Sequence, residues 1–156
     1  MEKKLNDEEK EKIHKILTGI TFCSLSTCSD GQPHTTIVQP SITSDLNCII
    51  LAKNTRKKIS NIKQNNKVWL TFDATGSFKI PKAIYIKGKA ELEPLNQESF
   101  EEFLSYHGVI TKKIYKKLTA EGLEYSTRIF IKPEKIITIG IYGKLDDIIS
   151  FTLNTY

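Results

Sequence analysis

The spacing of apolar and polar positions changes several times along the chain, and each change marks an element. Ile13, Ile16, Leu17 and Ile20 share one helical face, and Asn6 and Glu9 stand before them at capping-box spacing. A first helix is therefore predicted to run to about Gly19. Residues 21–27 are rich in β-formers and end at Ser29-Asp30-Gly31, after which Pro33 opens a second such run over 34–39. This pair reads as a hairpin. A turn at 44–47 leads into the apolar run Cys48-Ile49-Ile50-Leu51-Ala52, whose lack of alternation predicts a strand buried on both faces.

Asn54 or Thr55 is the expected cap of a short helix with Ile59 and Ile62 turned inward, and residues 68–72 follow as a further strand. From 83 to 92 alternation is plain. Ile84, Ile86, Gly88, Ala90 and Leu92 take one face, and Tyr85, Lys87, Lys89 and Glu91 take the other, which is wet. Asn96 is placed to cap a helix carrying Phe100, Phe103, Leu104 and His107 on one stripe and stopping at Gly108; another is predicted from Thr111 to Gly122. The chain then reads as strand 128–131, a turn at Pro133-Glu134, and strand 136–142.

Six or seven short strands result, with helices singly between them instead of after every strand. That pattern favours a mainly β antiparallel barrel with peripheral helices over a doubly wound parallel sheet. At 156 residues without repeat, low-complexity stretch or linker, a single domain is expected. The longest apolar runs are far shorter than the roughly 20 residues of a membrane-spanning helix. The mixed-charge N-terminus lacks the apolar stretch of a signal peptide, so a cytoplasmic location is expected. Cys23, Cys28 and Cys48 are odd in number and without metal-ligand spacing, and read as reduced, small buried side chains.

A formal net charge of +5 favours an anionic partner. Arg56, Lys57 and Lys58 sit in the first turn of a predicted helix, where the positive end of the macrodipole disfavours cations. A bound phosphate reverses that sign, because free amides and cationic side chains converge on one dianion. Solvated surface charge is the competing reading of equal weight, and it is the better one for Lys112, Lys113, Lys116 and Lys117 on the outer face of a helix.

Nucleic-acid binding calls for basic residues interleaved with exposed aromatics, and Phe78-Lys79 alone offers weak support. His14, His34 and His107 stand singly; structural or surface roles are expected for His14 and His107, with His34 left open. The G-x-S-x-G, G-x-x-x-x-G-K and G-x-G-x-x-G motifs are all absent. Any catalysis then falls to a cofactor.

In this order of elements, Asp30-Gly31-Gln32-Pro33-His34 resembles a D-G-x-P-x hairpin, and Arg56-Lys57-Lys58-Ile59-Ser60-Asn61-Ile62 resembles an S-R-K-x-x-N-L helix start. Gln64-Asn65-Asn66-Lys67-Val68 and Ile86-Lys87-Gly88-Lys89-Ala90-Glu91 resemble N-N-P-R-V and x-x-G-x-A-E strand segments. Together these are similar to the pyridoxamine-phosphate-oxidase-like FMN-binding split barrels, Greek-key antiparallel folds. The similarity is clear over 21–92 and looser over 128–139.

The resemblance implies FMN, with Lys57 and Lys58 at the paired phosphate-binding positions and Arg56 as a third cation. It further implies that Thr36, Ile37, Val38, Gln39 and Ser41 line the flavin ring, that Leu51 and Ala52 lie under the ribityl chain or phosphate, and that Ala83 completes the contacts. A homodimer with the flavin at its interface, and flavin redox chemistry on a small-molecule substrate, are implied as well. Reduced nicotinamide or deazaflavin is a possible electron source. A flavin-binding module without turnover, or deazaflavin in place of FMN, are the alternatives.

Departures bear on the reaction. Thr36 stands where the oxidase has arginine, Arg56 replaces the serine before the basic pair, and Ile139 stands where the oxidase has tryptophan. Residues 143–148 hold no R-L-H-D-R arm of the kind that grips pyridoxal phosphate. An oxidoreductase other than pyridoxamine-phosphate oxidase is the expected reading.

Overall fold

The computed structural model describes residues 2–77, 80–107, 109–118, 120, 122–143 and 148–153. Among the described residues nine strands and four helices follow in this order: β1 (Glu2–Lys4), α1 (Asp7–Thr18), β2 (Cys23–Ser29), β3 (Gln32–Val38), β4 (Ser41–Ile42), β5 (Cys48–Lys53), α2 (Lys57–Gln64), β6 (Lys67–Asp73), β7 (Ala83–Pro94), α3 (Gln97–Ser105), α4 (Val109–Leu118), β8 (Ser126–Ile139) and β9 (Ile148–Thr152). The fold is a split barrel, mainly β with helices at its periphery. Its main ladder runs β1-β9-β8-β7-β6-β2-β3 and does not close into a ring, and β5 joins it through β8.

Local signals account for much of this. Asn6 accepts from the Glu9 amide while the Glu9 carboxylate accepts from the Asn6 amide, the reciprocal capping box read from the sequence. Ile13 and Leu17 of α1 are fully buried against the barrel core. The β2–β3 hairpin closes on Asp30-Gly31, both at positive φ, which matches a two-residue turn whose twist suits the flanking strands. In β5 the non-alternating apolar run has a simple cause. Cys48, Ile50 and Ala52 belong to the barrel core, whereas Ile49 packs with Phe100, Phe103 and Leu104 of α3 in a second cluster.

The C-terminal half departs from expectation. The turn predicted at Pro133-Glu134 is absent, and β8 runs through it as one strand. Lys87 pairs with Lys135 while Gly88 pairs with Pro133, so Glu134 is the extra residue of a β-bulge. A bulge tolerates the amide that proline lacks. It also divides the far edge of β8: residues 126–131 pair with β5 and residues 135–139 pair with β9. This fork splits the sheet. β1 and β9 were not expected as strands, and their parallel pairing makes the otherwise antiparallel sheet mixed.

Two helix starts also differ. Neither Asn54 nor Thr55 caps α2; the N-cap is Arg56, with no side-chain cap bond, so only Lys57 and Lys58 of the basic run lie in the first turn. The Asn54 amide is drawn away by tertiary partners, donating to Glu124 O and accepting from Thr127 Oγ1. Asn96 caps α3 as predicted, α3 ends at Ser105, and α4 already begins at Val109. The stop expected at Gly108 lies outside the described residues, as do Phe78 and Lys79.

Candidate functional site

A cleft of about 780 Å³ opens where β3, the end of β5, the start of α2 and one face of α4 meet. Each wall has its own chemistry. Phe22, Ile37, Leu51 and Tyr115 present apolar surface, His34, Thr36 and Gln39 present hydrogen-bonding groups, and Lys53, Arg56, Lys57 and Lys58 collect positive charge at one end. Among the described residues no acidic side chain lines it.

The basic end is built by α2. Its first turn carries no acidic residue, and the amides of Lys57 and Lys58 have no carbonyl to bond within the helix. Among the described residues Arg56, Lys57 and Lys58 form no ion pair. Burial of the Lys58 ammonium, and then the Arg56 guanidinium beside it, push its pKa below the ordinary lysine value. Such a constellation suits an anion.

What holds α2 in place is a pair of polar bonds one helical turn apart. Asn61 donates from Nδ2 to Thr27 Oγ1 at 3.0 Å, and Ser29 donates to the Gln64 side chain. Asn61, Thr27 and Ser29 are all buried, while Ile59 and Ile62 fill the core beneath. These contacts set the height of the cations against β2, and through the hairpin against β3.

The cleft unites nine of the residues singled out from the sequence: Thr36, Ile37, Val38, Gln39, Leu51, Ala52, Arg56, Lys57 and Lys58. Two lie elsewhere. Ala83 begins β7, paired with Asp73 and Ile139, and touches neither cleft of the molecule described here. Ser41 is 2% exposed at the start of β4, where the strand direction changes after Pro40 and turns its hydroxyl toward α3. It lines a second cleft, of about 410 Å³, with His14, His107 and Tyr106.

Sequence reasoning missed Phe22, Lys53, Tyr115 and Ser126, and left His34 open. For His34 the signal was present, since it sits two residues before Thr36 on the same face of β3. Its Nδ1 and the Thr36 hydroxyl are buried without a hydrogen-bond partner among the described residues. For Tyr115 there was none, because only the packing of α4 against Phe103 brings it to the cleft wall.

Comparison with known proteins places the fold. The family model for pyridoxamine 5'-phosphate oxidase matches residues 9–140. General stress protein 26 from Bacillus anthracis is similar in structure, with a TM-score of 0.67 and 20% identity over 92% of this chain and 98% of that one. A FAD-binding protein from Mesorhizobium loti gives 0.64 and 20%, covering 85% and 92%. A heme binding protein from Mycobacterium smegmatis gives 0.70 and 13%, covering 96% of this chain and 59% of that one. At these identities the likeness is one of fold. Among curated proteins no match to the sequence was found.

Proposed function

The chain belongs to the pyridoxamine 5'-phosphate oxidase family, and from that premise we propose that it binds FMN in the larger cleft and acts as a flavin-dependent oxidoreductase on a small molecule. The observation that carries this is the uncompensated positive end of the cleft. Arg56, Lys57 and Lys58 and two helix amides converge where no carboxylate is among the described lining residues, at the end of a slot with apolar walls.

In this reading Lys57 and Lys58 would hold the phosphate together with the α2 amides, and Arg56 would add a third charge. Leu51 and Ala52 would lie along the ribityl chain. The ring would meet Thr36, Ile37, Val38 and Gln39, and the unpartnered groups of His34 and Thr36 suit its polar edge. When bound, the flavin supplies hydride or electron transfer, while the protein orients it, excludes water and selects the substrate. Phe22 and Ile37, 59% and 67% exposed at the rim, support a homodimer that covers the cleft with a second copy.

The test is a fluorescence titration with FMN and riboflavin, which differ only in the phosphate. Lys57→Ala with Lys58→Ala should weaken FMN roughly five- to thirtyfold, taking about 1–2 kcal/mol for the pair after allowing for the exposure of Lys57, and leave riboflavin unchanged. Unaltered FMN affinity removes the phosphate role. His34 beside the same cations favours one competing occupant, heme, and a Soret band on addition of hemin with no flavin binding would decide for it. Bleaching of bound flavin by a reduced nicotinamide supports turnover, whereas flavin inert to every donor points to a storage or sensing module.

A further inference from the structure

The second cleft, between α1, the β3–β4 connection and the α3–α4 corner, has no part in holding a flavin phosphate. Its character is unlike that of the larger cleft. Among the described residues no aspartate, glutamate, lysine or arginine lines it; its polar groups are the imidazoles of His14 and His107, the Gln39 amide and several hydroxyls, set among Leu17, Ile20 and Ile42. An ion entering it would lose hydration for no opposite charge, so a neutral guest is selected.

His107 defines the hydrogen-bond polarity. Its Nδ1 lies 2.9 Å from Phe103 O, and because a carbonyl only accepts, that nitrogen carries the proton. Ser41 Oγ stands 3.3 Å from both the same carbonyl and Nδ1, fixing the ring from behind. Burial holds the imidazole pKa below the ordinary histidine value, opposed by the bond to Phe103 and reinforced by Lys112, so the ring is neutral. Nε2 is then an acceptor with no partner among the described residues. On the opposite wall His14 donates weakly from Nε2 to Ile42 O at 3.4 Å.

The two clefts are neighbours. Gln39 lines both, and Thr111 and Tyr115, one turn apart on α4, line one each. The His107 ring is 6.1 Å from that of Tyr115, and both pack on Phe103.

We propose that the second cleft binds a small, uncharged aromatic molecule bearing hydroxyl donors, accepted by His107 Nε2, with His14 on the facing wall. This binding does not rest on the flavin reading.

Catechol is the probe, with its dimethyl ether as the same ring without donors, and calorimetry on the full chain as the measurement. Catechol should bind, the ether should bind at least about tenfold more weakly, and His107→Phe should weaken catechol by about tenfold or more while FMN affinity stays unchanged. His14→Phe, from the opposite wall, provides the same loss if His107→Phe fails to fold. Absence of catechol binding, equal affinity for the ether, or catechol affinity untouched by both folded variants overturns the proposal. Catechol binding that depends on His107 in a chain that takes no FMN retains this site and removes the flavin reading; the converse pattern does the opposite.

Discussion

Replacing Asn61 by leucine should loosen the helix that carries the basic cluster. Asn61 and Thr27 are 1% and 3% exposed, so neither has water to replace the 3.0 Å bond between them. Without Asn61, Thr27 Oγ1 retains only a 3.5 Å contact with His34 O, at the limit of a hydrogen bond. Stranding a buried hydroxyl costs about 1–3 kcal/mol, and part of that returns because Asn61 Oδ1, already without a partner, leaves with it.

A net loss of about 1–2 kcal/mol lowers Tm by roughly 2–8 °C in a domain of this size. Thr27→Val should cost a similar amount by leaving the amide wholly unpaired. The double variant, apolar on both sides, should recover much of the loss, giving a coupling energy of about 1 kcal/mol. Urea unfolding of the four proteins measures it. If the two losses simply add, the bond does not hold α2 and the reasoning fails. Both single variants should also weaken FMN more than riboflavin, since α2 carries the cations.

Gly88→Ala should be the most damaging small change in the sheet, because the new Cβ falls 2.3 Å from Lys132 O at the bulge. About 3 kcal/mol, or roughly 6–12 °C in Tm, is expected by thermal melting, and a loss below about 1 kcal/mol would show that the bulge relaxes freely. Asn6→Ala removes one half of the α1 capping box and should cost about 1 kcal/mol in urea unfolding. The lowered pKa of His107 means that the unfolded chain binds more protons as pH falls below 6.5, so stability drops through the folded value. His107→Phe should flatten that segment of a stability-against-pH curve, and an unchanged slope would refute the assignment.

The site was legible where its residues act through their neighbours in the chain. Lys57 and Lys58 stood out because cations at a helix start contradict the macrodipole, whereas Thr36 to Gln39 were implied only by the resemblance to the split barrels. Ser41 did not follow, since Pro40 and the turn into β4 send it to another cleft. Tyr115 and Phe22 reach the larger cleft only through the packing of α4 and the position of β2.

Periodicity, capping and turn chemistry depend on residues within a few positions of one another, and these determined α1, the Asp30-Gly31 hairpin, the two-faced β5 and the basic start of α2. Tertiary structure decided what depends on partners far away in sequence. Glu134 became a bulge and not a turn because β7 pairs across it, β8 forked because β5 and β9 compete for one edge, and β1 gained a strand's hydrogen bonds only from β9. Backbone groups must be paired wherever they are buried, and which partner is within reach is a property of the folded chain.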